Sequence, residues 1–102
     1  MLIEKKYDEQ KQCWQIWLFG DIDLYNADEL RAGFADVGDN DVCIHCENLK
    51  YIDSTGLGVL VSVLKAAREK GHVVSIEGLK PYIYRIFELT DLHKLFQIEV
   101  AK

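Results

Sequence analysis

Tyr51-Ile52-Asp53-Ser54-Thr55-Gly56-Leu57-Gly58-Val59-Leu60-Val61 decides how this chain folds. Leu57, Leu60, Val61 and Leu64 recur at the spacing of one helical face, so a helix (α2) is expected over residues 55–70. The residues before Asp53 belong to an extended segment. A strand therefore passes almost directly into a helix at Ser54. Ser is a preferred N-cap, because its hydroxyl oxygen accepts a hydrogen bond from a free N–H of the first turn. The same free N–H groups and the helix dipole favour an anion at this end. The Ser54 hydroxyl thus has two readings, a structural cap or a phosphate acceptor.

Working upstream, residues 41–47 alternate as a strand (β3), with Val42, Ile44 and Cys46 on an apolar face and Cys43, His45 and Glu47 on a more polar one. Residues 48–52 lead from it into the junction. Downstream, Lys65, Arg68 and Lys70 place cations near the end of the helix, as its dipole favours, and Gly71 suits the position after it. Residues 72–77 form β4, with Val74 and Ile76 inward. Pro81 suits the first turn of a helix (α3), whose buried face is Ile83, Ile86, Phe87 and Leu89. Residues 90–93 close it with room for a short extra turn, and residues 96–100 alternate as β5.

At the N-terminal end, residues 2–8 form an edge strand (β1). Asp8-Glu9-Gln10-Lys11 turns into residues 12–19 (β2), a hairpin. Both faces of β2 are largely apolar, which predicts cover on both sides. Gly20-Asp21-Ile22-Asp23 breaks the strand. Asn26, followed by Glu29, has the spacing of a capping box that opens α1, which runs to about Ala35. Ala27, Leu30 and Phe34 face its core, and Gly38-Asp39-Asn40 is a turn. The order β1-β2-α1-β3-α2-β4-α3-β5 predicts a single α/β domain over residues 1–102. Its sheet is mixed and mostly parallel, with helices mainly on one face.

Composition narrows the function. An apolar content of 49% argues against disorder. No apolar run reaches the roughly 18 residues of a membrane span, and the first residues lack signal-peptide order. A cytoplasmic protein is expected. The net charge of −5 argues against nucleic acid or an anionic membrane as partner. Cys13, Cys43 and Cys46 read as reduced thiols in strands. A metal site from Cys43, His45, Cys46 and His72 is disfavoured, because Cys43 and Cys46 point to opposite faces of one strand. Neither a metal nor a cofactor is expected.

Catalytic patterns are equally thin. A hydrolase elbow needs Gly two residues before its serine, where Ile52 stands. Thr55-Gly56-Leu57-Gly58 lacks the lysine and glycine spacing of a phosphate-binding loop. Asp21 and Asp23 flank a turn without forming an acid–base pair. The protein is expected not to be an enzyme.

The residues Tyr51-Ile52-Asp53-Ser54-Thr55-Gly56-Leu57-Gly58 resemble the signature of STAS domains, and most closely the bacterial anti-sigma factor antagonists. Gly20-Asp21-Ile22-Asp23 with Ala27 and Leu30 resembles that family's second block. Ile86-Phe87-Glu88-Leu89-Thr90-Asp91-Leu92 resembles its C-terminal block, with Asp91 where Gly is common. The resemblance implies a STAS fold and a partner-switching mechanism. The unmodified antagonist binds an anti-sigma factor that is also a serine kinase, and so frees the sigma factor. Phosphorylation of Ser54 releases the kinase, and a serine phosphatase resets the cycle. Asp21, Asp23, Asp53, Ser54, Thr55, Gly56, Leu57 and Gly58 are the implied docking residues, with Thr55 a weaker phosphate acceptor. Gly56 and Gly58 would let a partner backbone come close, and Leu57 would be exposed there or belong to the core. The alternative is an unphosphorylated STAS module serving a transporter or a stress-signalling complex.

Overall fold

The structure is a computed structural model that describes residues 2–37 and 40–100. Its elements are β1 (Ile3–Asp8), β2 (Cys13–Ile22), α1 (Ala27–Phe34), β3 (Asp41–Ile52), α2 (Ser54–Glu69), β4 (Val74–Leu79), α3 (Pro81–Leu89), a 3₁₀ turn (Leu92–Lys94) and β5 (Gln97–Val100). Residues 38 and 39 of the expected Gly38-Asp39-Asn40 turn lie outside the described residues.

The sheet order is β1-β2-β3-β4-β5. The hairpin β1–β2 is antiparallel, and the other three pairings are parallel. Each parallel connection carries the chain one strand further in the same direction. Right-handed crossovers of that kind put all their helices on one face. Ile16, Ile44, Ile76 and Ile98 are successive partners across four strands. The first three are fully buried under the helices. Leu30 and Phe34 of α1, Leu57, Leu60 and Leu64 of α2, and Ile83 and Phe87 of α3 close over them.

The other face carries no helix. Its central row runs Glu4, Trp17, His45, Glu77, Glu99, and the next runs Lys6, Gln15, Cys43, Ser75, Gln97. This corrects the expectation that β2 is covered on both sides, because Gln15, Trp17 and Phe19 remain partly exposed. Aromatic bulk shields this face where helices do not. The Trp17 and His45 rings stack, with centroids 5.0 Å apart and planes at 16°.

Two strands run longer than expected. β2 continues through Gly20 and Asp21 to Ile22, and β3 runs on to Ile52. From His45 to Asn48 the β3 chain advances three residues while β2 advances two, from Trp17 to Phe19. From Leu49 to Tyr51 it advances two while β2 advances one, from Gly20 to Asp21. β3 is bulged twice, so its buried residues beyond the regular stretch are Cys46, Leu49 and Ile52. Their spacing of three hides the strand from a search for alternation.

The helices bring smaller corrections. In α2, Val59 is buried and Val61 only partly so. In α3, Pro81 stands in the first turn, and Ile83 and Phe87 are buried. Ile86 is only partly buried and Leu89 is 74% exposed, so neither belongs to a fully buried face. The 3₁₀ turn follows where an extra turn was expected, entered through Asp91 at φ 61°.

Candidate functional site

The C-terminal ends of β2 and β3 lie side by side, with Ile22 and Ile52 paired. The Asp53 N–H donates to the Ile22 carbonyl at 3.0 Å and fixes the point where the chain leaves the sheet. Asp53, not Ser54, is the N-cap of α2. Its Oδ1 accepts from the Gly56 N–H at 3.0 Å, and its carbonyl accepts the first helical bond from Leu57 at 2.9 Å. Asp is as good a cap as Ser and adds a charge that favours the helix N-terminus. Because Asp53 takes the cap, Ser54 becomes the first helical residue and is exposed. Among the described residues no protein group hydrogen-bonds its hydroxyl. The structural reading of Ser54 as a cap is therefore corrected.

Asp53 also reaches across the edge. Its Oδ2 accepts from the Leu24 N–H at 3.1 Å, tying the β2–α1 loop to the start of α2. The loop is organised by its own polar groups. Asp23 Oδ1 accepts from the Tyr25 N–H at 2.9 Å. Asn26 Oδ1 accepts from the Asp23 N–H, and Asn26 Nδ2 donates to the Asp21 carbonyl, both at 2.8 Å. Asn26 thus braces the loop and makes no side-chain cap on α1. The expected capping box with Glu29 does not form.

The structure brings Asp21, Asp23, Asp53, Ser54 and Thr55 to one edge. It divides the rest of the expected docking set. Leu57 is 6% exposed and belongs to the core. Gly56 is buried too, and a Cβ there would meet Ile22 Cγ2 at 2.7 Å and Ile52 Cγ1 at 2.8 Å. Its lack of a side chain serves the packing of α2 on the strand ends, not the approach of a partner. Gly58 is exposed, and a Cβ there would meet nothing within 4 Å.

Sequence reasoning missed Leu24 and Tyr25. Leu24 is 68% and Tyr25 93% exposed, on the loop that Asp53 binds. Tyr51, the strand partner of Asp21, is half-exposed at the same end of the sheet. Two apolar residues inside an acidic turn were the available signal, but they fit neither helical nor strand periodicity.

Among the described residues no histidine hydrogen-bonds Ser54. His45 Nε2 meets Gln15 Oε1 at 2.6 Å, His72 Nδ1 meets Asp41 Oδ1 at 3.2 Å, and His93 Nδ1 meets the Phe87 carbonyl at 3.4 Å. The thiols are also held away from the nucleophilic form. Burial raises the pKa of Cys13, Cys43 and Cys46, that of Cys46 to about 12.

A five-stranded mixed sheet with helices on one face, and a serine opening a helix at its edge, defines a STAS-type domain. Residues 6–98 match the family model described as "Mlab, STAS domain". The anti-sigma-B factor antagonist of Staphylococcus aureus is 33% identical over 92 residues, covering 87% of this chain and 85% of that protein. This chain belongs to the STAS-domain family, on the side of the anti-sigma factor antagonists. A Thermotoga maritima crystal structure described as a candidate anti-sigma factor antagonist has the same fold. Its TM-score is 0.86 at 20% identity, covering 98% of this chain and 86% of that one. The anti-sigma factor antagonist SpoIIAA in its unphosphorylated form matches at TM-score 0.79 and 16% identity, over 98% and 88% of the two chains. Bacillus SpoIIAA in its phosphorylated form matches at 0.70 and 18%, over 98% and 91%. No described helix is long and apolar enough to cross a membrane.

Proposed function

We propose that this protein is an anti-sigma factor antagonist whose binding is switched by phosphorylation of Ser54. In this reading the unmodified edge docks on an anti-sigma factor with serine kinase activity and so frees the sigma factor. The kinase transfers the γ-phosphoryl of ATP to Ser54 Oγ, the serine proton is lost and ADP leaves. A serine phosphatase reverses the modification by hydrolysis. The protein acts as substrate and binding module in the cytoplasm, with no catalysis of its own.

The observation that carries this reading is the exposed, unbonded hydroxyl at the first position of α2, released from capping by Asp53. The N–H groups of Ser54 and Thr55 have no acceptor among the described residues and lie where a phosphate would be received. A phosphoserine adds about −1.5 to −2 charge. The helix dipole favours it by roughly 0.3–1 kcal/mol, while Asp53 and the loop carboxylates of Asp21 and Asp23 oppose it. The fold has no need to change. The charge appears beside Leu24, Tyr25 and Tyr51, the apolar surface a partner would cover. Desolvating an unpaired charge there costs more than the roughly 1.4 kcal/mol that a tenfold loss of affinity requires. Thr55, half-buried, is the weaker acceptor.

Phosphopeptide mass spectrometry on protein from its own cells, growing and stressed, tests the switch. Trypsin releases residues 51–65 as one peptide. Phosphate on Ser54 that changes with conditions is expected. A peptide that stays unmodified in every condition overturns the kinase cycle and leaves a constitutive binding module.

A further inference from the structure

The helix-free face holds a cluster that the Ser54 edge does not use. A ligand atom each from Cys43, His45 and Glu77 lies within 4.8 Å of the other two. The sheet sets this up. Cys43 and His45 are two residues apart on β3 and share a face, and Glu77 on β4 is the partner of His45. This is not the set weighed from sequence. Cys46 points into the core, and Glu77, from the next strand of the sheet, takes its place.

The orientation of His45 follows from a chain of hydrogen bonds. Gln15 Nε2 donates to Cys13 Sγ at 3.1 Å, which turns its Oε1 toward His45. At 2.6 Å from an amide oxygen, His45 Nε2 must be the N–H donor. Nδ1 therefore points the other way, at Glu77 Oε2 (3.5 Å) and Glu47 Oε1 (4.0 Å). A neutral ring would aim its Nδ1 lone pair at two carboxylates, an arrangement that calls for a cation between them. Metal-bound imidazoles are held in this way, with the second ring N–H donated to an oxygen.

Charge adds to the case. Glu77 is also the strand partner of Glu99, so two like charges stand side by side. Gly78, at φ 72°, leaves the space that Glu47 fills, since a Cβ there would meet the Glu47 carboxyl carbon at 2.5 Å. The site is open to solvent, with Glu77 46% and Glu47 52% exposed at the side chain.

We infer that Cys43, His45 and Glu77 form a site for a divalent transition metal of the zinc class, with Gln15 positioning the imidazole and Glu47 or water available as fourth ligand. Thiolate, imidazole and carboxylate together suit zinc and its neighbours better than magnesium or calcium. Tetrahedral zinc places its ligand atoms roughly 3.3–3.8 Å apart, from bonds of about 2.0–2.3 Å. The cluster therefore closes by about 1 Å, within reach of small rotations of Glu77 and Cys43. On binding, the S–Zn bond forms and the thiol proton passes to buffer. The metal would pin β3 to β4 on the face where no helix does so.

The test uses the full chain, reduced and freed of metal with a chelator. Zn(II) is titrated by calorimetry, and Co(II) is followed by absorption. One saturable equivalent is expected, with a thiolate-to-Co(II) charge-transfer band in the near ultraviolet. Cys43→Ser should remove that band. Glu77→Gln, which keeps the size of a half-exposed side chain, should weaken Zn(II) at least tenfold. Gln15→Ala should weaken it roughly 10–100-fold while keeping the band, as expected of a residue that orients a ligand. Ser54→Asp, beyond the end of the strand, should leave binding unchanged. Absence of saturable Zn(II) binding overturns the site. Binding that survives Glu77→Gln undiminished overturns it as well.

Discussion

Two glycines two residues apart, on opposite sides of α2, do opposite work. Gly56 fits against Ile22 and Ile52 with no space for a methyl, whereas Gly58 faces open space. Gly56→Ala should destabilise the fold by about 1–3 kcal/mol, as overpacking does. Gly58→Ala should stabilise the helix by up to about 1 kcal/mol. Urea midpoints that moved the same way for both would contradict this geometry. Partner affinity gives the complementary readout, since Gly58→Ala should weaken docking if a partner backbone seats there. Another residue-scale consequence concerns Cys46, whose thiol burial pushes up to about 12 from its ordinary value of 9.0. The unfolded chain loses this proton first. Stability from the neutral thiol is complete below about pH 9 and falls between 9 and 12, by up to about 1.4 kcal/mol per pH unit. Cys46→Ala should lower stability at neutral pH by about 1 kcal/mol through the cavity it leaves. Its alkaline decline should be shallower than that of the wild type. Parallel stability–pH curves for the two proteins would rule the effect out.

At the scale of elements, what was legible followed periodicity. The pattern of Leu57, Leu60 and Leu64 marked α2, and the alternation in residues 41–47 marked both faces of β3. The errors fell where a second force overrode the pattern. Two bulges gave β3 a spacing of three from Cys46 to Ile52, and Gly20 with its neighbouring aspartates looked like a strand end. Leu89 looked like core but is the last residue of α3 and stands 74% exposed. The capping residues were misread because side-chain hydrogen bonds choose among neighbours by three-dimensional reach. Asp53 and Asn26 each had a strand or loop partner that sequence spacing did not reveal. Asn26 is the sharper case. Asn26→Ala removes the acceptor of the Asp23 N–H and the donor to the Asp21 carbonyl. Both groups lie within reach of water, so the loss should cost about 0.5–1.5 kcal/mol. Amide hydrogen exchange at Asp23 and Leu24 should speed up while the β3 core amides keep their protection. Uniform acceleration across the chain would mean that the loop is not a separate unit.

Across the whole molecule, one-way strand addition separates two surfaces. The helices take one face, the thiol, imidazole and carboxylates take the other, and the strand ends carry the serine edge. Family resemblance pointed to the edge, whereas the Cys43–His45–Glu77 cluster depended on strand pairing that no local pattern encodes. The separation also bears on how a phosphate would act. Ser54 has no bonded partner to lose, and its backbone is held by Asp53 through Ile22, Gly56 and Leu24. A charge there should change what the edge binds without loosening what holds it. SpoIIAA is matched by this fold in both its unphosphorylated and phosphorylated forms. Ser54→Asp should therefore keep the urea midpoint within about 0.5 kcal/mol of wild type, as for an exposed site. Its affinity for the anti-sigma factor should fall at least tenfold, or about 1.4 kcal/mol. Ser54→Ala should match wild type in both and resist inactivation by kinase and ATP. If Ser54→Asp loses stability and binding together, the charge acts by unfolding the edge. If it loses neither, Ser54 is outside the docking surface and the acidic loop with Leu24 and Tyr25 must serve another partner.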